Sequence, residues 1–322
     1  MGIDVVGIGT PIMDFLMDID RLPKTDGITG LHEYSWQGGG KVPTAMVTLG
    51  MLGIRAAMVG VVGGDPFGIF CVEDFKRHGL DASHVIVDKD ATTTFAVCIA
   101  ERLTRGRSFL GKRGSCRRLE TSDLDKKLIT SAKYLHMSDM HSVNIEAATM
   151  ARAAGVKVVY DADMYDAETK DNLNRIDVFI ASEFFYSGMF TDGGYELNCR
   201  KLQALGPDIV VITLGERGSV GVYGDHYFEI PACTNVNVVD TTGAGDVFHG
   251  AFIFGMLQEW DMERIVRFAS AVAAIKCTRL GGRAGIPGLA EVERFMTDGF
   301  IDYTEVDKRV AFYRNGIFTI DS

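Results

Sequence analysis

The sequence predicts an α/β fold: three layers, α/β/α, around a mainly parallel central sheet, with a small β-sheet lid inserted. Short β-branched runs with helical patterns between them predict the body. Two stretches that break this alternation predict the lid. Residues 3–8 (IDVVGI) read as a buried strand ended by Gly9. Similar runs recur at 56–62, 156–160, 177–181 and 208–213. Residues 142–154 carry Val143, Ala147, Met150 and Ala154 on one helical face, and Gly155 follows as a stop. Strands alternating with helices make a parallel sheet covered on both faces, which binds ligands beyond the strands' carboxyl ends. The exceptions are 12–37 (with IMDFLMDIDRL and LHEYSW) and 93–110 (with TFAVCIAERLTRGRSFL). Both read as antiparallel strand pieces, so the expected organisation is one α/β unit over 1–322 with a discontinuous lid from about 12–37 and 93–118.

Composition narrows the function. The 322 residues are 47% hydrophobic and 24% charged, ordinary globular usage that argues against disorder. A net charge of −10 argues against nucleic acid as a partner. No apolar run approaches the ~20 residues needed to span a bilayer, and the best candidate, Val247 to Leu257, contains His249. The start, MGIDVVGIG, lacks the basic segment and cleavage site of a signal peptide. The six cysteines form no CxxC pair, so reduced thiols and a cytoplasmic location are expected.

The strongest chemical signal is Asp240-Thr241-Thr242-Gly243-Ala244-Gly245-Asp246, followed by VFHGAFIFGML. Three small residues before an apolar-periodic run predict a loop that opens directly into a helix. The amides of Gly243, Ala244 and Gly245 can converge there, and the helix dipole adds about half a positive charge. That is an anion hole suited to phosphate. Asp246, in the first turn, is placed to handle the proton of an attacking hydroxyl. The helix N-terminus is expected to lower its pKa, leaving a weak but fully ionised base. An ordinary Gly-rich turn with a capping Asp is the alternative on local physics.

DTTGAGDVFHGAF resembles the C-terminal signature of the ribokinase-like (PfkB) sugar kinases. The resemblance extends over nearly the whole chain. Gly9 to Asp14 resembles the first strand with its sugar-binding Asp. Gly38-Gly39-Gly40-Lys41-Val42-Pro43-Thr44-Ala45 resembles the first signature, and Val62 to Gly68 the G-x-D-x-F-G turn. Thr213-Leu214-Gly215 with Gly218 resembles the nucleotide loop, and Cys277 to Gly282 with Ile286-Pro287 the C-terminal segment for ATP and a monovalent cation.

The resemblance implies ATP-dependent phosphorylation of a sugar-like alcohol, a small molecule, with Mg²⁺ neutralising phosphate charge. It assigns Asp246 as catalytic base and Gly243 to Asp246 as anion hole. Asp14, Gly39, Gly40, Lys41 and Thr44 fall at the substrate, and Asp139, in LHMSDM, is a further candidate there. Thr213, Gly215, Gly218, Thr242 and Gly282 fall at the nucleotide. Asp240 and Thr242 fall where some relatives bind K⁺, with carbonyls near Gly281 as further ligands. Some relatives also pair as homodimers through the lid.

Three departures stand out. Thr44 occupies a usual Asn position, losing the amide's separate donor and acceptor. The N-x-x-E segment that organises Mg²⁺ becomes Ala181-Ser182-Glu183-Phe184-Phe185-Tyr186, leaving Glu183 as nearest carboxylate. In Asp161-Ala162-Asp163, Asp163 could approach Mg²⁺ from the other side, or either carboxylate could be a solvated loop residue. His136 and His141 flank Asp139 without a zinc pattern, and His249 reads as a residue that packs or supports the site from behind rather than a second base.

Two decoys are set aside. Gly106 to Arg113 nearly spells a phosphate-binding loop but has Arg113 where Ser or Thr is required. Gly7-x-Gly9 lacks the third Gly of a dinucleotide fingerprint.

The stretch 102–118 holds Arg102, Arg105, Arg107, Lys112, Arg113, Arg117 and Arg118 with no acidic residue. Over a substrate it would favour a sugar acid or sugar phosphate. The simpler reading is a solvated edge that discourages sheet pairing. Nucleoside phosphorylation, with Phe15, Tyr34 and Trp36 as lid aromatics, is the rival activity. A sugar-binding or regulatory protein with weakened catalysis is the rival class.

Overall fold

The computed structural model describes residues 2–104 and 106–319, so Arg105 of the basic stretch lies outside the described residues. Two sheets account for the strands. The larger is built from β1 (Val5–Ile8), β4 (Ala56–Gly63), β5 (Val85–Asp88), β8 (Tyr134–Met137), β9 (Lys157–Ala162), β10 (Val178–Ser182), β11 (Ile209–Thr213), β12 (Ser219–Tyr223) and β13 (His226–Ile230). Its order is β13-β12-β11-β10-β9-β8-β1-β4-β5. Seven of these strands run parallel, and β12 and β13 add an antiparallel edge. The five expected β runs all fall on parallel strands.

Alternation along each parallel strand feeds two apolar layers. Val5, Met58, Val159, Ile180 and Val211 pack under the helices Lys41–Met51, Ala244–Leu257 and Met262–Lys276. Val6, Leu135, Val158, Phe179 and Val210 pack under the helices Ser142–Ala153 and Tyr195–Gln203 on the opposite face. Burial of both strand faces explains why the runs read as continuously apolar.

The smaller sheet has the order β3-β2-β6-β7, from β2 (Ile12–Ile19), β3 (Leu31–Gly39), β6 (Phe95–Glu101) and β7 (Arg107–Lys112). Each of the two stretches forms an antiparallel pair, and the pairs join through a parallel contact between β2 and β6. The decoy Gly106 to Arg113 is mostly strand β7. Asp65 fixes the root of this sheet. Its carboxylate caps the helix Pro66–Arg77 at Gly68 N (3.0 Å) and accepts Thr93 N (3.0 Å) and Thr93 Oγ1 (2.7 Å).

Two helices begin at the same place. Lys41–Met51 and Ala244–Leu257 cross where a Cβ at Gly250 would lie 2.4 Å from Ala45 O. Only glycine permits that approach. It brings Lys41 and Asp246 into one cluster at the carboxyl ends of the parallel strands.

Candidate active site

The loop before the helix Ala244–Leu257 is set by its own residues. Asp240 Oδ1 accepts Thr242 N (2.9 Å) and Thr242 Oγ1 (2.8 Å), and Asp240 Oδ2 accepts Gly281 N (2.8 Å). The chain then turns at Gly243, whose φ of 74° is left-handed. A Cβ there would sit 2.8 Å from Gly282 Cα. Conformation and space both demand glycine. The amides of Gly243, Gly245 and Asp246 have no partner among the described residues, whereas Ala244 N closes a turn onto Thr241 O at 3.2 Å. The free donors at this helix start are therefore Gly243, Gly245 and Asp246, and the Ala244 amide is spent on the turn.

Asp246 stands in a cluster of charges. Burial first, then the Asp161 carboxylate, pushes its pKa up to about 6, against the opposing pull of His249 and Lys41. The expected lowering by the helix N-terminus is overturned: lost hydration and a neighbouring negative charge outweigh the dipole. Lys41 Nζ reaches Asp163 Oδ2 at 3.1 Å. Burial works against the Lys41 charge, but Asp161, Asp163 and Asp246 together raise its pKa.

Behind these groups, buried His249 lies 3.3 Å from Asp161 Oδ1 through Nε2. Burial opposes ionisation of Asp161, but His249 and Lys41 hold it down at about 2. His136 stacks on His249 with ring centroids 5.6 Å apart, and burial lowers its pKa to about 4. His249 is thus the partner of Asp161, the carboxylate adjoining Asp246.

Asp14 arrives from β2 and lies against Gly39 of β3. Burial raises its pKa to about 7. The Arg283 guanidinium opposes the shift, and the Asp246 carboxylate adds to it. Gly40 joins β3 to the helix that carries Lys41. Thr44, one turn into that helix, is 1% exposed and packs against Gly282, under the site rather than on its open surface. Asp139 lines a separate-walled pocket with Gly9, Thr10, Arg113 and Arg118 at the end of β1, and burial raises its pKa.

A second, largely apolar cleft lies on the other side of the helix start. Thr213, Gly215 and Gly218 line it, with Val238, Ala244 and Phe248 opposite. Thr242 and Gly282 are not on its walls; Gly282 sits between Gly243 and Thr44. Glu183, the expected Mg²⁺ carboxylate, pairs with Arg217 and lines neither pocket. Among the described residues, no group of three or more His, Cys, Asp or Glu converges to hold a metal ion.

The sequence reading missed three residues. Arg283 is fully buried, pairs with Asp74 (Nη1 to Oδ2, 2.6 Å) and donates to Gly39 O (3.0 Å). Gln37 Oε1 accepts Arg283 N (2.8 Å) and Ala284 N (3.0 Å). Lys276 is fully buried beneath the Asp240–Thr242 loop. Lys276 had a signal: it sits four residues after Val272, on the apolar face of ASAVAAIKC. Arg283 and Gln37 had none, since their partners are more than two hundred residues away.

Comparison with known proteins identifies the family and the fold. Residues 3–288 match the pfkB family carbohydrate kinase profile. A 5-dehydro-2-deoxygluconokinase of Geobacillus kaustophilus is 27% identical over 91% of this chain and 93% of its own. A nucleoside kinase of Methanothermobacter thermautotrophicus is 26% identical over 91% and 95%. Among solved structures, a putative ribokinase of Agrobacterium tumefaciens superposes with a TM-score of 0.82 at 24% identity, covering 92% of this chain and 98% of that one. Arabidopsis thaliana ribokinase, complexed with ribose and ATP, superposes at 0.79 and 23% identity, over 92% and 99%. The chain belongs to the pfkB family of carbohydrate kinases, enzymes that phosphorylate sugar derivatives with ATP.

Proposed function

We propose that this kinase transfers the γ-phosphoryl group of ATP to a hydroxyl of a polyhydroxylated sugar acid or sugar phosphate. The observation that carries the reading is the position of Asp246. Its carboxylate stands beside three amides with no partner among the described residues, with an apolar cleft flanking Ala244 and Gly245, and a pocket bearing Arg113 and Arg118 opens at Thr10, whose carbonyl faces Gly40. The cleft fits an adenosine moiety along Thr213, Gly215 and Gly218. The acceptor lies toward Asp14, Gly39, Gly40 and Lys41, with Asp139 at its margin. Asp246 takes the proton of the attacking hydroxyl. The amides of Gly243 and Gly245 receive the charge of the phosphoryl oxygens.

Mg²⁺ bound with ATP would supply charge neutralisation. Asp163, which stands with Lys41 and Asp246 in one charge cluster, is the carboxylate placed to hold it, while Glu183 pairs with Arg217. The smaller sheet acts as a lid that excludes water. Its edge strand β7 exposes Phe109 and Leu110 between basic residues, a surface suited to a second copy of the chain. Of the three arginines lining the pocket at Thr10, Arg117 is engaged by Asp123, which leaves Arg113 and Arg118 to meet an anionic acceptor. Six free cysteines fit the reducing cytoplasm. No helix among the described residues is long and apolar enough to cross a membrane.

A nucleoside acceptor is less well served. Phe15 and Trp36 stack on each other at 4.1 Å, and with Tyr34 they occupy the face of the lid opposite Asp14. Strand alternation separates them: neighbours Asp14 and Phe15 point to opposite faces. The test is ATP-coupled phosphate transfer across sugars, sugar acids, sugar phosphates and nucleosides. Transfer to an anionic sugar at the highest kcat/KM is expected. Preference for a nucleoside would overturn the acceptor class, and no transfer to any would favour a binding protein.

A further inference from the structure

The resemblance places a K⁺ ion against Asp240, Thr242 and carbonyls near Gly281. The donor set of this chain does not suit one. Both Asp240 carboxylate oxygens already accept N–H or O–H donors, from Thr242 and Gly281. The main-chain oxygens of Asp240 and Thr242 are also taken. Lys276 Nζ donates to Asp240 O at 2.9 Å and to Thr242 O. Lys276 is 0% exposed, and its carbonyl acceptors belong to the loop that runs straight into Gly243. A metal cation seated here would lose the Thr242 carbonyl and face an ammonium at close range with little solvent to screen it.

We propose that the Lys276 ammonium is a built-in replacement for the monovalent cation, holding the Asp240–Thr242 loop so that the Gly243 and Gly245 amides stay aimed at the transferring phosphoryl group. A buried lysine survives only when its charge is compensated. Here the compensation comes from two carbonyl dipoles and the nearby Asp240 carboxylate. The Lys276 ammonium, ahead of the Thr242 and Gly281 donors, holds Asp240 ionised against the cost of burial. The end of the helix Met262–Lys276 is tied to the same loop a second way: Val239 N (2.8 Å) and Asp240 N (3.1 Å) both donate to Cys277 O. The loop is thus clamped from one helix end by a side chain and a carbonyl together. The positively charged end of Lys276 does the work that a bound ion does elsewhere, without an ion to lose.

The inference rests on the kinase reading, and its test separates the two. The intact protein is melted, and titrated with MgADP, in chloride salts of K⁺, Na⁺ and tetramethylammonium at equal ionic strength. Neither measurement needs an acceptor. The same melting temperature and the same Kd in all three salts are expected. A K⁺-specific rise in melting temperature, or MgADP binding tightened fivefold or more by K⁺ alone, overturns the inference whatever the acceptor panel shows. With an acceptor in hand, kcat of the parent should also be the same in the three salts within about twofold.

Lys276→Met, neutral and of similar length, should lower kcat about tenfold or more while KM for ATP changes less. Lys276→Ala, which vacates the cradle, should make kcat rise with K⁺ or ammonium but not with tetramethylammonium. A folded Lys276→Met with parental kcat in tetramethylammonium salt, or a folded Lys276→Ala that neither cation activates, overturns the role. If either variant fails to fold, the salt series on the parent still decides.

Discussion

Asp246 and Asp14 are carboxylates of one site, both held above their ordinary range chiefly by burial, and their different proposed duties set separate tests. Asp246 must be ionised to take a proton. With its pKa pushed up to about 6, kcat should fall as pH drops through about 6, giving an acid limb in the pH–rate profile. Asp246→Asn should fold, lose that limb, and lose on the order of 10²–10⁴ in kcat; well-folded protein with near-parental turnover would remove Asp246 from the chemistry. Asp14 is raised from 3.8 to about 7, so the folded protein holds this proton more tightly than the unfolded chain does. Its contribution to stability is complete below about 3.8 and lost as pH rises to about 7. Asp14→Asn removes the ionising group. At pH 8 the variant should melt above the parent, while the KM for the sugar rises at least about tenfold through loss of a charge-assisted hydrogen bond. A lower melting temperature with unchanged KM would contradict both halves.

The start of the helix Ala244–Leu257 is the element on which the site depends. Its free amides need a left-handed residue at Gly243 with no side chain against Gly282. Gly243→Ala should cost about 1–2 kcal/mol from the left-handed backbone alone, more if Gly282 must yield. It should reduce kcat more than KM for ATP, since in the proposed reaction the amides receive the charge of the transferring group. A variant with parental stability and kcat would show that the loop tolerates a Cβ and does not need its present geometry. Much of this element was legible in the sequence. Small residues followed by an apolar run are a local signal, as are the β-branched runs that became parallel strands. The sign of the Asp246 shift was not legible, because it is set by burial and by Asp161, which reaches it from a distant part of the chain. The parallel join of β2 to β6 was hidden for the same reason: each antiparallel pair shows its own pattern, but nothing in either stretch marks which edge meets the other. The aromatic residues of the lid were visible as residues, while the face they occupy follows only from the register of Phe15 with Trp36.

At the scale of the whole molecule, a buried polar knot ties the acceptor side of the site to the C-terminal part of the chain. Arg283 joins Asp74 of the helix Pro66–Arg77 to the carbonyl of Gly39. Asp74 in turn accepts the hydroxyl of Tyr313 at 2.7 Å, from the helix Thr304–Asn315, and lies 3.5 Å from His78. Gln37 adds a second clasp between β3 and the segment 280–284 through Leu280 O, Arg283 N and Ala284 N. The stretch that lies against Gly243 is therefore also the stretch that fixes the root of β3 beside Asp14. Removing one partner of a fully buried ion pair leaves the other uncompensated, so Arg283→Met should lower stability by about 3–5 kcal/mol in denaturant unfolding. Because the guanidinium also opposes the upward shift of Asp14, its loss should raise the Asp14 pKa further and increase the sugar KM. The double variant Asp74→Leu with Arg283→Met should recover part of the stability, since no orphan charge remains, but not the KM, since Gly39 has still lost its donor. A single variant destabilised by less than about 1 kcal/mol, or a double variant that restores the KM, would show that the knot serves packing alone and leaves the sugar site untouched.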